Sequence, residues 1–331
     1  LQSLIENKSA NPWLDQRRDK VLLRLGQASE RAQNWPLAAQ AYTASGYHGA
    51  RHRHIRVLAR MQCFDQALAL AEKAQAAPES EEERQRVARM LPRLRRSLGH
   101  SGGSRQSALA PAVAALRCDV ELDPPQEATA VEYVLRDHWH SDEAPVFYAE
   151  NVLINSLFGL LCWPAIFAPL PGAFFHPFQS GPADLSAPDF AARRQPLFDA
   201  CLAELEDGRY RATIRARFVQ KEGTQSPFVF WGTLTQELLD LALECIPAQH
   251  LQQLFARLLS DVKANRTGFP DLVRFWPQRT EAQGRYELVE VKAPGDKLQD
   301  NQIRWLTYCT ELGMPVRVCH VQWRGQQTGQ L

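Results

Sequence analysis

No apolar run in the sequence reaches the ~18–20 residues that a bilayer-crossing helix needs, which excludes a helical membrane span. The richest stretch, residues 152–170, is interrupted by Asn155, Pro164 and Pro169 and reads as a buried helix. Cysteine is sparse and unpatterned: Cys63, Cys118, Cys162, Cys201, Cys245, Cys309 and Cys319 are odd in number and form no C-x-x-C. That argues against a disulfide framework or a thiolate zinc site and for a reducing compartment. Glycine-rich phosphate loops and G-x-S-x-G elbows are also missing, so P-loop and serine-hydrolase chemistries are set aside. There is no initial Met and no signal-peptide pattern, so the chain is expected to be a piece of a longer protein.

Net charge is almost absent too, at +1, but it is unevenly spread. Residues 1–120 carry 19 Lys and Arg against 11 Asp and Glu, and the remainder 19 against 26. A basic front half suits contact with a phosphate backbone, and an acidic back half suits metal binding. Ordinary surface charge accounts for the same numbers equally well. With 45% hydrophobic and 23% charged residues over 331 positions, the composition is that of a globular protein of two or three domains.

The front third reads as helical. Asn34 caps a helix that tolerates Pro36 in its first turn and ends at Ser45-Gly46. Trp35, Ala38 and Tyr42 recur 29 residues later as Phe64, Ala67 and Ala71. Bulky residues meeting alanines at helical spacing are what stacked helix pairs require, and the pattern resembles tetratricopeptide-type repeats. Ser80 and Glu83 form a capping box for a third, Arg-rich helix to about residue 98. Residues 99–107 read as a flexible connection. Helices are expected at 150–163, 235–246 and 247–264. Then the character changes: strands at 272–276 and 286–292, a hairpin connection at 278–284, a helix at 298–312 closed by Gly313, and a strand at 316–321.

The chemistry is carried by Pro270-Asp271 and Glu290-Val291-Lys292. The two-residue period of a strand puts Glu290 and Lys292 on one face and Val291 on the other. Two ions on a strand otherwise built of Leu and Val are costly unless paired or coordinated. The hairpin returns the second strand beside the first, letting Asp271 approach Glu290. Two converging carboxylates, with the Val291 carbonyl as a further oxygen, suit Mg²⁺ or Mn²⁺. A cation held there would act as Lewis acid and activate water for phosphodiester hydrolysis, with Lys292 orienting or deprotonating that water or steadying the phosphorane oxygens. A surface Glu-Lys pair with Asp271 as a turn residue is the plainer alternative. Against it stand the strand context, the hairpin-sized gap, and the helix that follows directly as Asp300-Asn301-Gln302-x-x-Trp305.

Residues 266–273 and 288–306 resemble the VRR-NUC branch of the PD-(D/E)xK nucleases, and within it the Fanconi-associated nucleases, which join a helical-repeat region to this C-terminal module. The resemblance implies an α/β, restriction-endonuclease-like nuclease module preceded by an all-α, tetratricopeptide-like region. The expected boundaries are 1–98 for the basic repeats, 99–140 for a linker and connecting helix, and 141–331 for the nuclease domain, with its core motif at 266–322. It further implies Glu150, Asp271, Glu290 and the Val291 carbonyl as metal ligands, Lys292 as catalytic, and Gln302 as support from the adjoining helix. Glu150 at a helix start is also stabilised by the helix dipole without any metal, and Gln302 reads equally as a solvated helix residue. Arg51, Arg53, Arg266 and Lys297 are the expected DNA contacts. Asp300 and Asn301 stand where the family leads one to expect more positive charge, which speaks against a dedicated pocket for a terminal 5′ phosphate.

The implied activity is structure-selective cleavage of branched or flapped DNA (5′ flaps, 5′→3′ trimming) in interstrand crosslink repair, inside the cell: in the cytoplasm or nucleoid of a bacterium, or in a nucleus. Two other readings stand beside it, a dimeric Holliday-junction-resolvase-like nuclease and a non-catalytic helical-repeat scaffold. Among remaining candidates, His48, His52 and His54 lack zinc spacing and read better as a phosphate-facing basic patch with Arg51 and Arg53. His138-Trp139-His140 reads as packing and surface. Arg209, Arg211, Arg215 and Arg217 alternate as a strand edge or helix face near DNA or simply a solvated face. Trp231 and Trp276 read as core or wall rather than stacking platforms.

Overall fold

The computed structural model describes residues 2–99, 113 and 116–325. Contacts divide the chain into two compact units, Leu1–Ala108 and Leu109–Leu331. After Gly99, the expected flexible connection lies outside the described residues.

The first unit is helical: α1 (Gln2–Glu6), α2 (Pro12–Arg31), α3 (Trp35–Ala44), α4 (Ala50–Arg60), α5 (Phe64–Ala76) and α6 (Glu81–Ser97). From α2 onward each helix packs on the next. Asn34 caps α3 by accepting the Leu37 N–H at 3.2 Å. The internal repeat extends to the backbone. Gln33 and Gln62, two residues before Trp35 and Phe64, both turn through left-handed conformations, φ 57° and 62°. The alanines do what their size predicts: Ala38 is fully buried with Tyr42 and Trp35, and Ala67 and Ala71 with Phe64. The capping box at Ser80 is half formed. Ser80 accepts the Glu83 N–H at 3.1 Å, but the Glu83 carboxylate accepts the Glu79 N–H and binds Arg51 instead of returning to Ser80.

The second unit is α/β, in agreement with the expected class. Its helices are α7 (Val131–Trp139), α8 (Leu153–Leu161), α9 (Trp163–Ile166), α10 (Gln195–Leu202), α11 (Glu204–Asp207), α12 (Tyr210–Lys221), α13 (Gln236–Cys245), α14 (Ala248–Ser260), α15 (Val262–Asn265) and α16 (Asp300–Glu311). Its strands are β1 (Arg117–Leu122), β2 (Val146–Tyr148), β3 (Leu272–Phe275), β4 (Tyr286–Lys292) and β5 (Val316–Trp323). They form one sheet in the order β1-β5-β4-β3-β2, parallel across β1, β5 and β4 and antiparallel across β4, β3 and β2. The hairpin, the α16 crossover and β5 fall where the pattern places them, and α16 ends at Gly313 with φ 70°. The two edge strands do not. Residues 117–122, expected within a linker, form β1 in register with β5, so 99–140 contributes to the sheet as well as supplying α7. β2 is three residues long.

The strand alternation sorts side chains into two cores. Val273, Phe275 and Leu288 join a large cluster with α8, α13, α14 and α16. Leu272, Val289 and Val291 face the other way, against Leu135 and the partly buried Trp139 of α7. Helix α8, mainly apolar and buried at every residue, is the central pillar of the first cluster. Among the described residues no helix is long and apolar enough to cross a membrane.

Candidate metal centre

Glu290 and Lys292 share the face of β4 that carries Leu288, as the two-residue period requires. Glu290 has no exposed surface, and Lys292 is buried beside it with Nζ 2.6 Å from Glu290 Oε1. This contact is a buried ion pair, with Asp271 as the second close neighbour, and neither Glu290 oxygen accepts a hydrogen bond from a backbone amide or a neutral side chain. Burial, reinforced by the neighbouring Asp271 charge, pushes the Glu290 carboxyl up to about 8 against the opposing pull of Lys292.

Asp271 reaches this face through a tight approach. Gly268 adopts φ 93°, and a Cβ there would lie 2.7 Å from the Asn301 carbonyl carbon at the start of α16. Asp271 Oδ2 accepts the Val291 N–H at 2.7 Å, which locks it across β4. It too is buried, and desolvation raises its carboxyl to about 6 although the Val291 amide and Lys292 pull it down; Glu150 and Glu132 push the same way as burial.

Glu150 lies between β2 and α8. Tyr148 O–H donates to its Oε2 at 2.6 Å and Asn151 Nδ2 to its Oε1 at 3.0 Å. Asn151, in a left-handed backbone at φ 53°, also accepts the Gly268 and Phe269 N–H groups, at 2.8 and 3.2 Å. Asn155 of α8 extends the clamp by donating to the Asn151 and Arg266 carbonyls. One asparagine thus ties the Glu150 turn to the loop that delivers Asp271. Asn151→Ala orphans two backbone N–H groups and leaves a non-glycine residue in the left-handed region, so a loss of roughly 2–4 kcal/mol is expected; urea denaturation measures it.

The structure therefore brings Asp271, Glu290, Val291 and Lys292 together, with Glu150 close enough for its charge to act on Asp271. Among the described residues no three His, Cys, Asp or Glu side chains form a ready-made cage. The donors on hand are two buried carboxylates, hard-oxygen groups whose set water would complete. Two buried carboxylates sharing one ammonium leave an excess of negative charge that fits a cation. Gln302 is buried at the start of the adjoining helix. Its Oε1 accepts the Gln299 N–H at 2.8 Å in a capping box that starts α16. Glu132, Tyr148 and Asn151 were not anticipated; for Asn151 the one available signal was its place next to Glu150.

The expected DNA contacts fare unevenly. Arg51 is committed to Glu83 and the Ala77 carbonyl, and Arg53 to Glu30, so neither presents a free charge. His52 is buried against Arg86 and held down at about 4 by desolvation, so it adds no positive charge near neutral pH. Arg266 donates to the Pro227 carbonyl and lies over the Phe228 ring, partly desolvated. Arg211, Arg215 and Arg217 belong to helix α12, with Arg209 at its start, and all four bind protein groups: the Leu243 carbonyl, Asp240, the end of α8, and Asp207 respectively. Lys297 alone of the four expected contacts is exposed, in the loop between β4 and α16.

Residues 205–323 match the model of the VRR-NUC domain. The chain is 54% identical over 314 residues to a Fanconi-associated nuclease 1 homolog of Pseudomonas aeruginosa, covering 95% of this chain and 55% of that protein. It is 32% identical over 206 residues to Fanconi-associated nuclease 1 of Homo sapiens, covering 60% of this chain and 20% of that protein. The crystal structure of paFAN1 bound to 2nt 5′flap DNA with gap superposes with a TM-score of 0.89 at 52% identity, covering 97% of this chain and 57% of that one. The chain spans little more than half the length of the bacterial relative it matches.

Proposed function

We propose, for a chain that carries a VRR-NUC domain and is related along nearly its whole length to a Fanconi-associated nuclease 1 homolog, that it is a divalent-metal-dependent nuclease hydrolysing DNA phosphodiester bonds, with Mg²⁺ or Mn²⁺ held by Glu290, Asp271 and the Val291 carbonyl. The observation that carries the reading is the convergence of two buried carboxylates, Glu290 and Asp271, beside the single ammonium of Lys292. Such a group is costly in an empty protein and useful in one that binds a cation. When bound, the cation supplies Lewis acidity and lowers the pKa of water near the scissile phosphate. Lys292 orients the attacking water or stabilises charge growing on the phosphate oxygens. Asp271 is fixed by the Val291 amide so that it meets the cation without reorganising. Glu150, oriented by Tyr148 and Asn151, completes the acidic field and serves as a further ligand, directly or through water.

The preferred substrate is 5′-flap DNA, supported by the likeness to paFAN1, whose complexes hold 5′-flap DNA. Trimming from the 5′ side, a role in interstrand crosslink repair and an intracellular location are part of the same proposal. Lys297 is the retained candidate for strand contact. The test is cleavage of labelled 5′-flap, junction and blunt duplex DNA with Mn²⁺, Mg²⁺ or EDTA. Flap cleavage at least about tenfold faster than duplex, and none in EDTA, is the expected result, since the proposed chemistry relies on water activated by the bound metal. Cleavage that survives EDTA overturns the reading, and inertness on all three substrates leaves a binding scaffold.

A further inference from the structure

On the face of the sheet away from Glu290, at the end of β3 remote from Asp271, lies a cavity of about 430 Å³. The guanidinium of Arg274 is wedged between two indoles, 5.6 Å from the Trp139 ring and 4.9 Å from the Trp276 ring. Arg279 covers Trp276 at 4.2 Å, and Arg317 closes the rim. The acid on this wall, Glu287, sits opposite Arg274 on β4 but binds Arg317 at 2.9 Å. Among the described residues, neither Arg274 nor Arg279 has a carboxylate partner in ion-pair contact. Arg274 Nε is buried without any hydrogen-bond acceptor, and burial lowers the tendency of this guanidinium to hold its proton.

We infer that this cavity is a second anion site, built to take a phosphate ester. An indole beneath a guanidinium leaves the N–H edge free and fixes its fork, the arrangement that meets two phosphate oxygens at once. Two such forks with one acid already engaged leave a local excess of positive charge that only an incoming anion neutralises. The rings are covered by the arginines, so the recognised group is the phosphate rather than a base. On the nuclease reading, on which this identification of the source rests, the phosphate belongs to the backbone of the DNA outside the cleavage centre. A free nucleotide offers the same chemistry.

The experiment measures binding in EDTA, so that it reads out whether or not the chain cleaves. A fluorescent duplex is titrated over a KCl series with the wild-type chain, Arg274→Gln, Arg279→Gln and the control Arg209→Gln, whose exposed side chain pairs with Asp207. Each of the first two is expected to weaken binding about 3- to 10-fold and to lower the slope of log Kd against log [KCl] by about 0.9, the contribution of one phosphate contact. The control leaves both unchanged. Arg279 is exposed, so its loss does not threaten folding. Calorimetry with dAMP and with inorganic phosphate provides the other arm. Binding of dAMP that Arg274→Gln and Arg279→Gln abolish, with the DNA slope unaltered, supports the phosphate site and assigns it to a free nucleotide. An unaltered slope in both variants together with no dAMP or phosphate binding overturns the proposal.

Discussion

Glu290→Gln and Lys292→Ala each lower Mn²⁺-dependent cleavage of 5′-flap DNA by about 10²–10³-fold or more, the range seen when one preorganised electrostatic group is removed from an active centre. The two lesions are distinguishable. Glu290→Gln keeps the shape of the side chain but removes the charge proposed to bind the cation, so its residual activity is expected to require far more Mn²⁺. On the proposed assignment Lys292 is not a ligand, so its loss is expected to leave the Mn²⁺ requirement near that of the wild type and to lower the maximal rate. Single-turnover rates over a Mn²⁺ series separate these outcomes. A Lys292→Ala chain within about threefold of wild type would sink the catalytic assignment, because such a group is expected to contribute at least tens-fold.

The part of the centre legible in the sequence was the part that strand geometry dictates. The alternation Glu290, Val291, Lys292 needs no tertiary information to put two ions on one face, and the hairpin length makes Asp271 their neighbour. Helices were readable wherever caps and apolar spacing coincided, as at Asn34, Thr235 and Gly313. The edge strands were not. β2 has three residues, too few for a period to register, and β1 carries Arg117, Asp119 and Glu121 on an exposed edge, a composition that reads as loop. The partners of the arginines were not legible for a related reason. Charge counts locate cations but not their partners, and Arg51, Arg53 and Arg266 are engaged by Glu83, Glu30 and the Pro227 carbonyl, groups distant in the chain. Asn151 was hidden in the same way: its bonds to Gly268 and Phe269 exist only in the folded molecule.

The same burial that fits Glu290 to a cation makes the metal-free protein sensitive to pH. The carboxyl sits at about 8 in the folded state against an ordinary 4.5, and Asp271 at about 6 against 3.8. Between those limits the folded state holds more protons than the unfolded one, so stability falls as pH rises. Below about pH 4 both states are protonated and the penalty vanishes, and above about 8 it is fully present. For Glu290 alone the penalty is roughly 3–5 kcal/mol, and 1 kcal/mol moves Tm by roughly 2–4 °C in a domain of this size. In EDTA, Tm is therefore expected to drop by on the order of 10 °C from pH 5 to pH 8. Glu290→Gln carries no charge to desolvate, so it flattens most of that decline and makes the metal-free protein more stable than wild type at pH 8, even as it removes activity. Mn²⁺ reverses the slope, because it binds only the ionised carboxylates; the rise in Tm on adding it grows with pH and is small in Glu290→Gln. Scanning calorimetry of both chains at pH 5, 6.5 and 8, with EDTA and with Mn²⁺, decides the matter. A wild-type Tm in EDTA that does not change with pH, or an equal Mn²⁺ shift in the two chains, would mean that Glu290 is not the buried carboxylate that holds the ion.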